Sequence, residues 1–271
     1  MPVWFKAAGI GGSLLALIAL VIVFLKQIIA FIGLLSMIIK FSVVLIFVAV
    51  FLGIGLMVFR AYNDIAHYVA ISDADRHPDL TYAATIHHGI PLGEFTFRER
   101  PDDYLLFFGR IHPDKGAREA VELARRTGQK LVIAGIVHDQ AYFDRWVRPF
   151  VDDDQIRYVG SANPSERNAL LGGARALLHL IGFDEPFGLS VVEAMATGTP
   201  VIAYPRGSMS ELIRDGLNGF LVSDLEAAEA ALHRVDELDR RACRADAEAR
   251  FSAERMVDDY LRLYERIVSS A

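Results

Sequence analysis

The chain has 271 residues, 53% of them hydrophobic, and a formal net charge of −6. That length holds one large domain or two small ones. Met1 to Phe59 contains no Asp or Glu and only Lys6, Lys26 and Lys40, so 25 other basic residues face all 34 acids, a balance of −9. Such an acidic remainder argues against a nucleic-acid surface. The one cysteine, Cys243, excludes an internal disulfide, fits a reducing compartment and reads as a packing or helix-surface residue.

Ala7–Leu25 and Phe41–Phe59 are each uncharged and apolar over nineteen residues. Runs of about 18 or more read as membrane spans. Fourteen Leu, Ile, Val or Phe in the second run contribute about −4 to −8 kcal/mol toward insertion. The expectation for residues 1–60 is a transmembrane helical hairpin turning near Gly33–Ser36, with Lys26 and Lys40 snorkelling to an interface. A re-entrant segment over 26–40 is the alternative. A second apolar run and no small-x-small cleavage site argue against a signal peptide.

Residues 61–102 read as a junction. From Tyr104 the pattern becomes strand, loop, helix, repeated. The expected strands are Tyr104–Phe108, Lys130–Ala134, Ile156–Val159, Ala176–Leu180, Val201–Tyr204 and Phe220–Val222. The helices between them are Lys115–Thr127, Asp139–Val147, Pro164–Leu171, Leu189–Thr197 and Ser208–Ile213. Leu225–Val235, Leu238–Arg250 and Ala253–Val268 follow, the last with a stripe of Met256, Tyr260, Leu263, Tyr264 and Ile267. Apolar strands alternating with helices imply an α/β fold: a single Rossmann-like parallel sheet with helices on both faces, over 103–271.

Ligands of such sheets bind outside the carboxyl ends of the strands. The loop GRIHPDKG (109–116) carries Arg110 and Lys115 just before a helix. A guanidinium fork, an ammonium and helix amides suit a diphosphate, although a basic pair in a loop is also an ordinary solvated surface. In FDEPFGLSVVEAMATG (183–198), Gly188 opens a helix. Glu185 stands before its positive end, and Glu193 lies inside it among apolar residues. A carboxylate there needs a partner: sugar or ribose hydroxyls, or a nearby arginine.

Other features read as structural. Ser208-x-x-Glu211 has the spacing of a capping box. His87-His88 lacks further ligands at metal spacing. Asp73-x-Asp75 and Asp152-x-Asp154 read as solvated turns. No G-x-G-x-x-G follows a strand, so nothing supports a nicotinamide site.

Together these residues resemble the carboxyl-terminal half of glycosyltransferase family 4, retaining enzymes of the GT-B type. The resemblance rests on YVAIS (68–72), HHGI (87–90), FFGRIHPDKG (107–116), LVIAG (131–135), IRYVG (156–160), LLGGARALL (170–178), FDEPFGLSVVEAMATGTPVIA (183–203), GSMSELIRDGLNGFLV (207–222) and FSAERMVDDYLRLY (251–264). It implies that Glu185 faces the donor sugar, that Glu193 holds the ribose, and that Arg110 and Lys115 grip the diphosphate. Gly109, Phe187, Gly188 and Leu189 would complete the donor site. The implied catalytic residues are Glu185, Arg110 and Lys115. The implied reaction is hexose transfer from a nucleotide diphosphate sugar with retention, without metal or cofactor. In the family a first domain supplies the acceptor pocket. Here residues 1–60 stand before the unit, and residues 61–102 carry remnant strands of that first domain. The resulting expectation is a multi-pass membrane protein with a cytoplasmic donor-binding domain. Its acceptor would be lipid-linked, or a partner chain would supply the acceptor half. A non-catalytic nucleotide-sugar sensor or subunit is the alternative, and a purely structural membrane protein is a third.

Overall fold

A computed structural model of the chain describes residues 3–65 and 67–270. Met1, Pro2, Ala66 and Ala271, at the edges of the expected segments, lie outside the described residues. The chain divides into two compact units, Met1–Ala66 and His67–Ala271.

The first unit is one helix, α1 (Val3–Ile65). This corrects the expected hairpin: the chain neither turns near Gly33–Ser36 nor re-enters. The physical reason is that no proline lies between Pro2 and Pro78, so nothing removes an i→i−4 bond. Glycine inside a helix costs only about 1 kcal/mol, too little to break so long an apolar run. Leu20–Arg60 is one helix long and apolar enough to cross a membrane by length and composition. Its 41 residues rise about 60 Å, roughly twice a hydrocarbon core of about 30 Å. One span, not two, is therefore the observed candidate.

The second unit begins with β1 (Tyr68–Ala70), paired in parallel with β2 (Tyr82–Thr85). A six-stranded parallel sheet follows: β3 (Leu105–Phe108), β4 (Leu131–Ala134), β5 (Ile156–Gly160), β6 (Ala176–His179), β7 (Val201–Ala203) and β8 (Gly219–Leu221). The strands stand in the order β5-β4-β3-β6-β7-β8. Between and after them come α2 (Ala117–Thr127), α3 (Gln140–Trp146), α4 (Pro164–Gly173), α5 (Leu189–Ala196), α6 (Met209–Leu212), α7 (Leu225–Leu232), α8 (Arg240–Phe251) and α9 (Ala253–Ser270).

Strands β3, β4 and β7 are apolar throughout because both faces are covered. On one face Leu105, Phe107, Leu131, Ile133, Ala176 and Leu178 pack with α2, α3 and α7. On the other Leu106, Val132, Leu177 and Val201 pack with α5 and α8. This period of two is the pleat itself. Each buried Leu, Ile or Phe contributes about 1.5–3 kcal/mol.

Two local expectations are corrected. Ser208 makes no side-chain cap bond to α6; its hydroxyl donates instead to Phe187 O at 2.6 Å. The capping box that forms is Asn163 with Glu166 at α4. On α9, Leu263 is buried but Tyr264 is 55% exposed, so the expected stripe is narrower. Cys243 is fully buried, and burial pushes its thiol up to about 12. It is a packing residue.

Candidate functional site

The strand order reverses between β3 and β6: β4 and β5 lie to one side, β7 and β8 to the other. A crevice forms outside the strand ends at such a switch. The two loops there are 109–116 after β3 and 180–188 after β6.

The backbone clamps these loops together. Gly182 N donates to Asp114 O at 2.8 Å. Gly116 has φ +80°, and a Cβ there would meet Leu180 O at 2.2 Å. Only glycine permits both that conformation and that approach. The clamp brings Lys115 onto Glu185: Nζ donates to Oε2 at 2.8 Å. Both side chains are four-fifths buried or more, 19% and 16% exposed. Lys115 Nζ also lies 4.2 Å from the centre of the Phe183 ring, a cation–π contact.

The segment around Glu185 is fastened on every side. Ser208 N donates to Glu185 O at 2.9 Å, Ser72 Oγ to Pro186 O at 2.6 Å, and Gly207 N to Asp184 Oδ1 at 3.2 Å. Phe187 is buried against His88, His87 and Phe251, with ring centres 5.1, 5.9 and 6.0 Å apart. Glu211 ties in the β1–β2 region: its carboxylate accepts from Asp73 N, Ala74 N and His87 Nε2 at 3.0, 2.9 and 2.9 Å. His87 is thus a structural partner of an acid, and among the described residues no His, Cys, Asp or Glu group could hold a metal ion.

Gly188 is the N-cap of α5, in the left-handed region. Val191 N returns to Gly188 O at 3.1 Å. The amides of Leu189 and Ser190 lead the helix, where donors have no intrahelical partner. Leu189 is 49% exposed at this end.

Glu193 belongs to a separate pair. Arg167 of α4 donates to its Oε1 at 3.0 Å. Burial raises the Glu193 carboxyl, Arg167 pulls it down, and Glu94 adds to the rise. Arg110 is exposed and engages no ion pair among the described residues. Gly109 N is bonded to Ala134 O at 3.0 Å.

Of the four side chains predicted to share the donor, the structure therefore pairs Lys115 with Glu185, pairs Glu193 with Arg167, and gives Arg110 no ion pair among the described residues. A hollow of about 520 Å³ beside these loops is lined by Pro113, Gly182, Asp184, Tyr204 and Arg206, and by none of the four. Sequence reading did not find Ser72, Arg167, His179 or Glu211 as site supports. Each reaches the site across at least 26 residues of chain or from inside a strand, so the capping-box spacing of Glu211 and the expectation of an arginine near Glu193 did not identify these roles.

Residues 95–250 match the family described as glycosyl transferases group 1. Glycogen synthase of Mycobacterium tuberculosis is 31% identical over 68% of this chain and 46% of its own length. D-inositol 3-phosphate glycosyltransferase of Mycolicibacterium smegmatis is 31% identical over 74% of this chain and 50% of its own. The chain spans about half the length of these curated relatives. Two solved structures share the fold. Sucrose-phosphate synthase of Thermosynechococcus elongatus matches with a TM-score of 0.65 at 22% identity, over 80% of this chain and 62% of that one. Anabaena HepE, solved with UDP and glucose, matches with a TM-score of 0.63 at 20% identity, over 75% and 64%. A parallel sheet with its clamped switch-point loops, and a family match across more than half of the residues, give one conclusion: the chain belongs to the glycosyl transferases group 1 family.

Proposed function

We propose that the His67–Ala271 unit binds a nucleotide diphosphate sugar and that the protein is a membrane-anchored transferase, moving the hexose to an acceptor with retention. The observation that carries this is the Lys115–Glu185 pair at the switch of strand order. The anionic diphosphate draws Lys115 off Glu185 and takes Arg110 as a second cation. The amides leading α5 add a partial positive charge. Glu185, released, faces the sugar. Glu193, oriented by Arg167, takes the ribose hydroxyls.

The chemistry balances without a protein nucleophile. The bond from the anomeric carbon to the diphosphate oxygen breaks, and the electron pair leaves with the nucleoside diphosphate. The acceptor oxygen bonds that carbon from the same face, and its proton passes to a phosphate oxygen. Lys115 and Arg110 stabilise the charge that develops on the leaving group, so the reading requires no metal. Helix α1 supplies the anchor. The unit would face the cytoplasm, where nucleotide sugars are available, and the acceptor would be a membrane lipid or a lipid-linked sugar.

The experiment is calorimetric titration of the full chain in detergent with UDP, GDP and ADP, followed by assay of sugar release from the corresponding hexose donors. One nucleotide should bind, and Arg110→Ala and Lys115→Ala should each weaken it at least about tenfold. Failure of all three nucleotides to bind defeats the reading. Binding without turnover favours the second reading, a nucleotide-sugar sensor or subunit. The observation behind that alternative is that residues 3–65 form a helix and not an α/β layer.

A further inference from the structure

We propose that His179 is a positioning residue for Glu185: when a phosphate draws Lys115 away, the imidazole Nε2–H replaces the ammonium as hydrogen-bond donor to the Glu185 carboxylate. This rests on Lys115 being a phosphate ligand, as proposed above.

His179 ends β6, a strand of otherwise apolar residues. It is only 6% exposed, and its Nε2 has no hydrogen-bond partner. A buried nitrogen left unpaired is a cost that leucine would avoid. Its nearest acid is Glu185, with Nε2 3.8 Å from Oε2. That is the same oxygen that Lys115 holds at 2.8 Å. The distance is about 1 Å too long for a hydrogen bond, and a side-chain adjustment closes it.

The handover solves an electrostatic difficulty. With Lys115 on the diphosphate, Glu185 would be an acid 84% buried, lacking its cation, beside an anion. Such a group needs another donor. Lys115 and Glu185 are the charged groups that face His179. In the unliganded state burial, and then the charge of Lys115, push the imidazole down to about 3. It is therefore neutral, and its tautomer with the proton on Nε2 donates to Glu185 without adding net charge. The site thus keeps Glu185 fixed in both states and frees Lys115 without leaving the acid unsatisfied.

The test uses the full chain in detergent with 15N-labelled histidine, the His179 signal being assigned by its loss in His179→Gln. In Lys115→Met without ligand, the His179 Nε2 proton should move downfield and become protected from exchange. Adding Glu185→Ala should reverse this. An unmoved His179 signal in Lys115→Met, with the His87 and His88 signals intact as the folding control, overturns the proposal whatever nucleotides do. In the unmutated chain, saturating UDP should give the same shift; UDP that binds without moving the signal also overturns it. If UDP, GDP and ADP all fail to bind, the diphosphate reading fails while Lys115→Met still decides the handover. His179→Leu should weaken UDP binding about tenfold or more, and His179→Gln, whose Nε2 occupies a similar place, should restore most of it. Equal losses in the two variants overturn the role.

Discussion

Arg167 on α4 holds Glu193 on α5 at 3.0 Å, with the carboxylate side chain 13% exposed. The pair joins two helices of the same face and orients an acid that burial makes reluctant to ionise. Arg167→Met should lower stability by about 2–4 kcal/mol, because it strands a buried charge. Arg167→Met with Glu193→Gln should recover most of that. A carboxyl raised in the folded state holds its proton more tightly than the unfolded chain does. Its contribution therefore falls as pH rises from the ordinary carboxylate range through the raised value. Urea unfolding of the full chain in detergent, from pH 4 to 7, measures both effects.

Arg110 and Lys115 should separate stability from binding. Arg110 is exposed without an ion pair among the described residues, so Arg110→Ala should change stability by less than about 0.5 kcal/mol. Its loss of a charge-assisted phosphate contact should weaken nucleoside diphosphate binding at least about tenfold. Lys115→Ala also abandons Glu185, so it should reduce both binding and melting temperature. Thermal denaturation beside calorimetry distinguishes the two.

Gly116→Ala should be costly for two reasons. The left-handed conformation costs about 1–2 kcal/mol for a residue with a Cβ, and the Cβ would meet Leu180 O at 2.2 Å. Gly128→Ala has φ +67° but open space, so it should show the conformational cost alone. Equal melting temperatures for the two variants would deny that the loops are clamped.

His179 should leave a signature in acid. Its proton affinity falls from the ordinary 6.5 to about 3 in the folded chain. Between those values the unfolded chain binds the proton and the folded chain does not. Stability is thus fully present above about pH 6.5 and is lost as pH falls toward 3, at about 1.4 kcal/mol per pH unit at most. His179→Gln should flatten that part of the profile. Chemical denaturation of both chains across pH 4–7 gives the difference in slope.

Helix α1 should hold the chain in membranes. Its described side chains from Leu20 to Phe59 are apolar apart from a few and lie exposed. The full chain should stay in the membrane pellet through alkaline carbonate extraction and leave it in detergent. Release by carbonate alone would contradict a spanning role.

The α/β unit was legible because both of its signals are local. Leu131–Ala134 and Val201–Ala203 are short apolar runs, and Gly128 and Gly188 mark helix ends. The hairpin was misread because composition specifies apolar length and not direction. Gly33 and Ser36 suggest a turn, but helix hydrogen bonding continues through them. Ser208 and Glu211 have capping-box spacing, yet stronger distant partners, Phe187 O and His87, claim their side chains.

By itself the sequence determined the alternation of strand and helix, the charged loops 109–116 and 183–188 at the ends of two strands, and the apolar amino-terminal run. These follow from periodicity, glycine placement and hydropathy, each a property of neighbours along the chain. Tertiary structure alone decided that Lys115 closes on Glu185, that Arg167 claims Glu193, and that the Nε2 of His179 waits unpaired beside Glu185. Those are meetings across 70, 26 and 6 residues, set by the order in which parallel strands lie side by side, and no spacing rule along the chain encodes that order.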